Sequence, residues 1–170
     1  FQPLLGELAM HKLDAVLADR PAPPNPALKT TSQLLGTSAI AWYAPARWAQ
    51  AARASFPYSL AQVPLLLPTE HAAVRARINH WLEREHIRPH IAGEFEDSAL
   101  LSTFAASGMG VMPAPASLGA HLAQTCALEW VGTMPDVHEQ FHLIYSARKV
   151  MHPLLTRLLA AAADEMLLNE

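Results

Sequence analysis

Disulfides, long apolar runs and a surplus of positive charge are all missing from this sequence. Its single cysteine, Cys126, rules out an internal disulfide and suits a reducing compartment, so the cytoplasm is the expected location. No run approaches the roughly 18 apolar residues of a membrane span. Residues 1–20 also lack the basic start and small-residue cleavage site of a signal peptide. Lys and Arg total 12 against 15 Asp and Glu, a net charge of -3, which is the wrong sign for gripping phosphate. The stretch is therefore not expected to bind DNA itself. Charged residues make up only 16% and hydrophobic ones 51%, which provides core material for one domain or for two small lobes.

The chain opens at Phe1 rather than Met, and the helical pattern that begins there has nothing ahead of it to act as a cap. This reads as a start inside a longer protein. Leu4, Leu5, Leu8 and Ala9 recur at helical spacing, predicting an amphipathic helix over 2–12. Residues 13–19 (LDAVLAD) are mostly apolar and too short for a helix, predicting a strand buried on both faces. Four prolines between 20 and 29 forbid regular structure and mark an exposed loop.

Further strands are expected at 34–43 (one or two), 63–68, 90–95, 111–112, 127–131 and 141–145. Pro113-Ala114-Pro115 reads as a turn. Helices are expected at 48–54, at 70–86 with Thr69 as its N-cap, after Asp97 or Ser98, at 116–123 and from 154 to 168. Gly108 marks the end of the helix that follows Asp97. Alternating strands and helices predict an α/β fold with mainly parallel pairing, in one sheet or two.

Catalytic chemistry finds no foothold, so an enzyme is not expected. Nine histidines yield no HExxH. His86 and His90 are separated by Pro89, which keeps them off one helical face, and His138 with His142 shares a face only if both lie in a strand. Ser107-Gly108-Met109-Gly110 lacks the first glycine of a nucleophile elbow and puts its serine before the turn. A dinucleotide loop follows a strand and opens a helix, whereas these glycines come after a helix. Cys126 has no basic flank to activate it and reads as a small filler.

The acidic group Glu94, Glu96 and Asp97 stands out, because it falls between a strand's carboxyl end and a helix start, where open α/β sheets bind ligands. Capping by Asp97 and solvation of Glu96 are the competing explanations.

Three segments together carry a resemblance. The first is Phe1 to Leu8 followed by His11-Lys12-Leu13-Asp14-Ala15-Val16-Leu17-Ala18-Asp19. The second is Gly93-Glu94-Phe95-Glu96-Asp97-Ser98-Ala99-Leu100 with Ala106 to Pro115. The third is Phe141 to Arg148 with His152-Pro153 and an apolar helix.

Their order resembles the effector-binding domain of LysR-type transcriptional regulators, and within that family the branch that activates a sodium/proton antiporter gene. The resemblance implies an α/β, two-lobed, periplasmic-binding-protein-like (type 2) fold, N-terminally truncated by one strand. Its first lobe would be residues 1–44 and 140–170, and its second 45–139.

It also implies a small effector or a sodium ion in the cleft, no cofactor, DNA contact only through a helix-turn-helix outside this chain, and a homodimer or tetramer. Effector-binding residues would be Asp19, Thr69, Glu94, Asp97 and Pro115. Sodium, a hard cation, would need the carboxylates. Thr69 at a helix start would instead favour an anion. Pairing of Asp19 with Arg20, and plain capping by Thr69, are the alternatives. A solute-binding protein of the same fold is the rival reading, and an α/β enzyme a more distant one.

Overall fold

The computed structural model describes residues 1–25, 29–146 and 152–167, and the side chains of 163–167 are not among what it describes. Positions 26–28 of the proline loop, Ala147-Arg148 of the third segment and the end of the terminal helix at 168 lie outside the described residues. The chain divides into two compact units, 1–37 with 140–170 and 38–139. It passes from one to the other twice, within two long strands.

In the first unit, α1 (Gln2–Ala9) has a proline in its first turn, where the missing N–H costs nothing, and ends where His11 turns left-handed at φ 60. It buries Leu5 and Leu8 with Val16 of β1 (Ala15–Ala18) and with Ile144. β1 pairs antiparallel with the end of the strand that carries Ile144, Ala15 facing Tyr145 and Ala18 facing His142. β1 is not buried on both faces as expected: α1 covers the Val16 side, whereas Leu17 on the other face is 65% exposed.

The strand at 34–43 is a single long β2 (Thr30–Pro45). Pro45 marks its end, while the boundary between the units falls earlier, at Thr37–Ser38.

The second unit continues with α2 (Ala46–Arg53), β3 (Pro64–Pro68), α3 (Ala73–Arg84), β4 (His90–Phe95), α4 (Ser98–Ala106), β5 (Met112–Pro115) and α5 (Gly119–Cys126). The strands expected at 127–131 and 141–145 are one strand, β6 (Leu128–Ser146), which accommodates Pro135 at an exposed position. Helix α6 spans Pro153–Leu167. Neighbouring strands follow the order β1-β6-β2-β5, with β3-β4 as a separate pair.

Pairing is not mainly parallel. β3 and β4 are parallel, whereas β1 with β6 and β2 with β5 are antiparallel. Pro113 and Pro115 are also not in a turn: they occupy β5, opposite Trp42 and Ile40. A strand at the end of its sheet tolerates proline, because its outward backbone positions need no donor.

The core of the second unit surrounds Trp42, Leu65, Leu67, Ile78 and Trp81, all almost fully buried. The apolar run at β3 is explained by cover on both faces, since Leu66 packs into a second cluster with Tyr43, Leu101 and Leu122. β5 joins β3 by two backbone bonds, Val111 N to the Pro64 carbonyl (2.8 Å) and Leu66 N to the Val111 carbonyl (2.9 Å). Gly110 makes that approach possible, because a Cβ there would stand 2.6 Å from the Pro64 oxygen.

Two glycine replacements should therefore act with opposite signs in urea unfolding. Gly110→Ala should lose about 1–3 kcal/mol by forcing β5 away from β3. Gly6→Ala, in helix α1 with nothing within 4 Å, should gain about 0.5–1 kcal/mol. Equal effects would contradict the close approach at β5.

Candidate functional site

Because β3 and β4 are parallel, their last residues, Pro68 and Phe95, are register partners at one edge. The parallel bridge between Leu65 and Val111 brings the carboxyl end of β5 to the same edge, and antiparallel β2 sets Ile40 opposite Pro115. Helices α3, α4 and α5 close around this edge, leaving a cavity of about 440 Å³ within the second unit. Small-molecule sites typically fall between roughly 300 and 1,000 Å³ and occupy this place in α/β sheets. The floor is apolar, with Ile40, Val74, Ile78, Leu101, Met112 and Leu122 supplying much of it.

Polar groups stand around that floor. Glu96 leaves β4 directly into the wall, Ser98 and Ser102 lie one turn apart on α4, and His121 comes from α5 with Glu139 from β6. Glu96 has no hydrogen-bond or ion-pair partner among the described residues. Cys126 is half-buried in the same wall, 3.5 Å from the Thr125 hydroxyl.

The residues read from the sequence are distributed as follows. Asp19 belongs to the first unit and binds Arg20 twice, Nε to Oδ1 at 2.7 Å and Nη2 to Oδ2 at 3.0 Å. That carboxylate raises the guanidinium pKa of Arg20. Glu94 is joined to Arg75 at 2.5 Å. Arg75 is only 3% exposed and is also bound by Glu70 at 3.0 Å, by Asn79 and by the Pro68 carbonyl, so four partners surround one buried guanidinium.

Thr69 is not a helix cap. Its N–H donates to the Phe95 carbonyl and its own carbonyl accepts from Ala72, so its backbone finishes the sheet edge and turns the chain. Helix α3 consequently begins at Ala73, with Ala72 as N-cap and no side-chain cap. Asp97 is the N-cap of α4, its Oδ1 accepting from Leu100 N at 2.8 Å.

Pro115 lines the cavity, while Thr69, Glu94 and Asp97 are each next in sequence to a wall residue, Pro68, Phe95 and Ser98. Glu96, named with them in the acidic group, lines it directly. Ser102, His121 and Glu139 were missed. The available signals were the serines four apart on one helix and His121 beside the apolar Leu122.

The histidine pairs show no common metal site. His86 sits in a left-handed turn and His90 opens β4. His142 is buried with neither ring nitrogen hydrogen-bonded, whereas His138 is exposed. Among the described residues no group of three or more His, Cys, Asp or Glu converges.

A shallower depression of about 690 Å³ adjoins Tyr43, Gly119 and Trp130, and its carboxylate, Glu129, is bound by Arg53 at 2.9 Å. Small alanines line much of it, giving little for a ligand to hold. Burial there pushes the Tyr43 hydroxyl above its ordinary pKa of 10.0.

Two α/β units, built from one chain that passes twice between them, constitute the periplasmic-binding-protein-like type 2 fold. The profile of the LysR substrate binding domain matches residues 2–167, so the chain belongs to that family. It is 24% identical over 155 residues to the transcriptional activator protein NhaR of Escherichia coli (strain K12), covering 91% of this chain and 50% of that protein. The chain thus spans about half the length of the curated relatives it matches.

Among solved structures, the cofactor-binding domain of the Cbl transcriptional regulator superimposes with a TM-score of 0.71 at 17% identity, covering 93% of this chain and 69% of that one. The regulatory domain of Synechocystis PCC6803 CcmR, solved in complex with 2-PG, gives 0.67 at 12% identity, covering 94% and 78%. These likenesses establish the fold.

Two local predictions follow from the geometry. Asp97→Ala should cost about 1 kcal/mol by removing the α4 cap. Glu94→Gln should cost no more than about 1 kcal/mol, because Glu94 is half-exposed and Arg75 keeps its other partners. Urea titration of both variants measures this, and a larger loss for Glu94→Gln would contradict the shared arrangement.

The Tyr43 phenol holds its proton to higher pH in the folded state than in the unfolded one. Its contribution is therefore complete below about pH 10 and is lost as pH rises through the raised value. Tyr43→Phe should flatten the alkaline fall in stability, and an unchanged fall would contradict the buried hydroxyl.

Proposed function

We propose that this chain is the effector-sensing domain of a LysR-type DNA-binding transcriptional regulator, with the second-unit cavity as its effector site. The match of the family profile over residues 2–167 carries this reading. The cavity supports it physically, because an apolar floor with a few convergent polar groups is the usual form of a small-molecule site. The two units, 1–37 with 140–170 and 38–139, serve as the regulatory lobes.

No bond is made or broken in this role. An effector that binds two states of the domain with different affinity shifts their populations by that difference, and DNA binding follows the shift. DNA contact itself belongs to a helix-turn-helix elsewhere in the full regulator, which works in the cytoplasm as a homodimer or tetramer.

The narrower reading is an activator of a sodium/proton antiporter gene that responds to sodium, supported by the 24% identity to NhaR. Sodium needs oxygen ligands. Asp19 and Glu94 are engaged by guanidinium groups, so Glu96 is the better-placed carboxylate for it.

In a mobility-shift assay with the full regulator and its own promoter DNA, effector addition should change complex formation. Ala99→Trp should abolish the response while leaving DNA affinity within about twofold. Ala99 is exposed and lines the cavity, so the larger ring fills the site without entering the core. Absence of promoter binding would favour the solute-binding alternative. Equal effects of sodium and potassium would remove the sodium reading alone.

A further inference from the structure

We propose that the cavity of the second unit recognises an amphipathic organic cation, a protonated amine carried on an apolar body. This rests on the cavity being the effector site and adds the sign of its ligand's charge. Among the described residues the carboxylates in the wall are Glu96 and Glu139, of which Glu139 has a partner of its own, and neither Lys nor Arg lines it. Arg75, whose helix and preceding loop form part of the wall, turns its guanidinium to Glu70, Glu94, Asn79 and the Pro68 carbonyl. Its charge is answered before a ligand arrives.

The competing electrostatic feature is the start of α4, where Ser98 and Ala99 border the cavity. A helix N-terminus acts as roughly half a positive charge, which would invite an anion. Here Asp97 already occupies it, bound to Leu100 N, and brings a full negative charge. With Glu96 beside it, the net field at this wall favours a cation.

A bare inorganic ion would leave the apolar floor unused. Ile40, Val74, Ile78, Leu101 and Leu122 cannot coordinate it, whereas an alkyl or aryl body gains by leaving water against them. Ammonium hydrogens would find acceptors in Glu96 and in the Ser98 and Ser102 hydroxyls, and a charge-assisted bond to a carboxylate is the strongest of these.

Calorimetric titration of the 170-residue chain at pH 7 with 4-phenylbutylamine, 4-phenylbutanol and 4-phenylbutanoate tests the sign directly. The amine should bind about tenfold more tightly than the alcohol, and the carboxylate more weakly than the alcohol. Glu96→Gln should bring the amine within about twofold of the alcohol. A carboxylate that binds as well as the amine, or amine affinity unaltered by Glu96→Gln, would overturn the cation assignment while leaving the cavity as an effector site.

Sodium chloride reproducing the amine's thermal shift at matched ionic strength would overturn it too, in favour of a bare ion. If none of the three organic probes binds, or if binding survives Ala99→Trp, the cavity itself is not the site and both readings fall.

Discussion

The second unit depends on how closely β5 can lie against β3. Two backbone hydrogen bonds hold them, and Gly110 supplies the space because the Pro64 carbonyl occupies the position a Cβ would take. That contact places the end of β5 level with the ends of β3 and β4, so three carboxyl termini meet at one edge. Without it Pro115 and the α4 start would not border one cavity, and the apolar residues of α3 and α5 would have no common hollow to line. A steric condition at one glycine thus reaches through strand pairing to the shape of the site.

Charge at that edge is arranged in two separate ways. Arg75 is buried and surrounded by two carboxylates, an amide oxygen and a carbonyl, an arrangement that ties β4 to α3 and to the loop between β3 and α3. Such a group is costly to bury and tolerable only because its donors are satisfied. The carboxylate of Glu96 lies two residues beyond Glu94 and is not drawn into that set. Glu94 lies within β4, where Arg75 of α3 reaches it, whereas Glu96 follows the end of the strand and lines the cavity, so one acid anchors the fold and the other borders the hollow.

Much of the fold was legible because its local signals are strong. His90–Phe95 was read to the residue, the cap as Asp97 or its neighbour Ser98, and Gly108 as a helix stop, each from a side-chain or backbone requirement that acts within a few positions. Pairing was less legible. Nothing local shows that Met112–Pro115 lies beside Ile40–Tyr43, and its prolines argue for a turn until the edge position is known. The two long strands were read only in part, at 34–43 and at 127–131 with 141–145, because their polar stretches carry no continuous apolar pattern.

At the site the sequence located the edge but often chose the residue beside the wall. Glu94 and Thr69 are drawn away by an arginine and by the backbone of Phe95, both partners distant in sequence.

The most direct measurement of the central claim is an amide chemical-shift titration of the 170-residue chain with 4-phenylbutylamine. The largest perturbations are expected at Phe95–Ser102 and in the Met112–Leu122 stretch, the segments that border the cavity. Perturbations confined to Ala46 and Ala123–Trp130, around the shallow depression, or no perturbation at saturating amine, would contradict it.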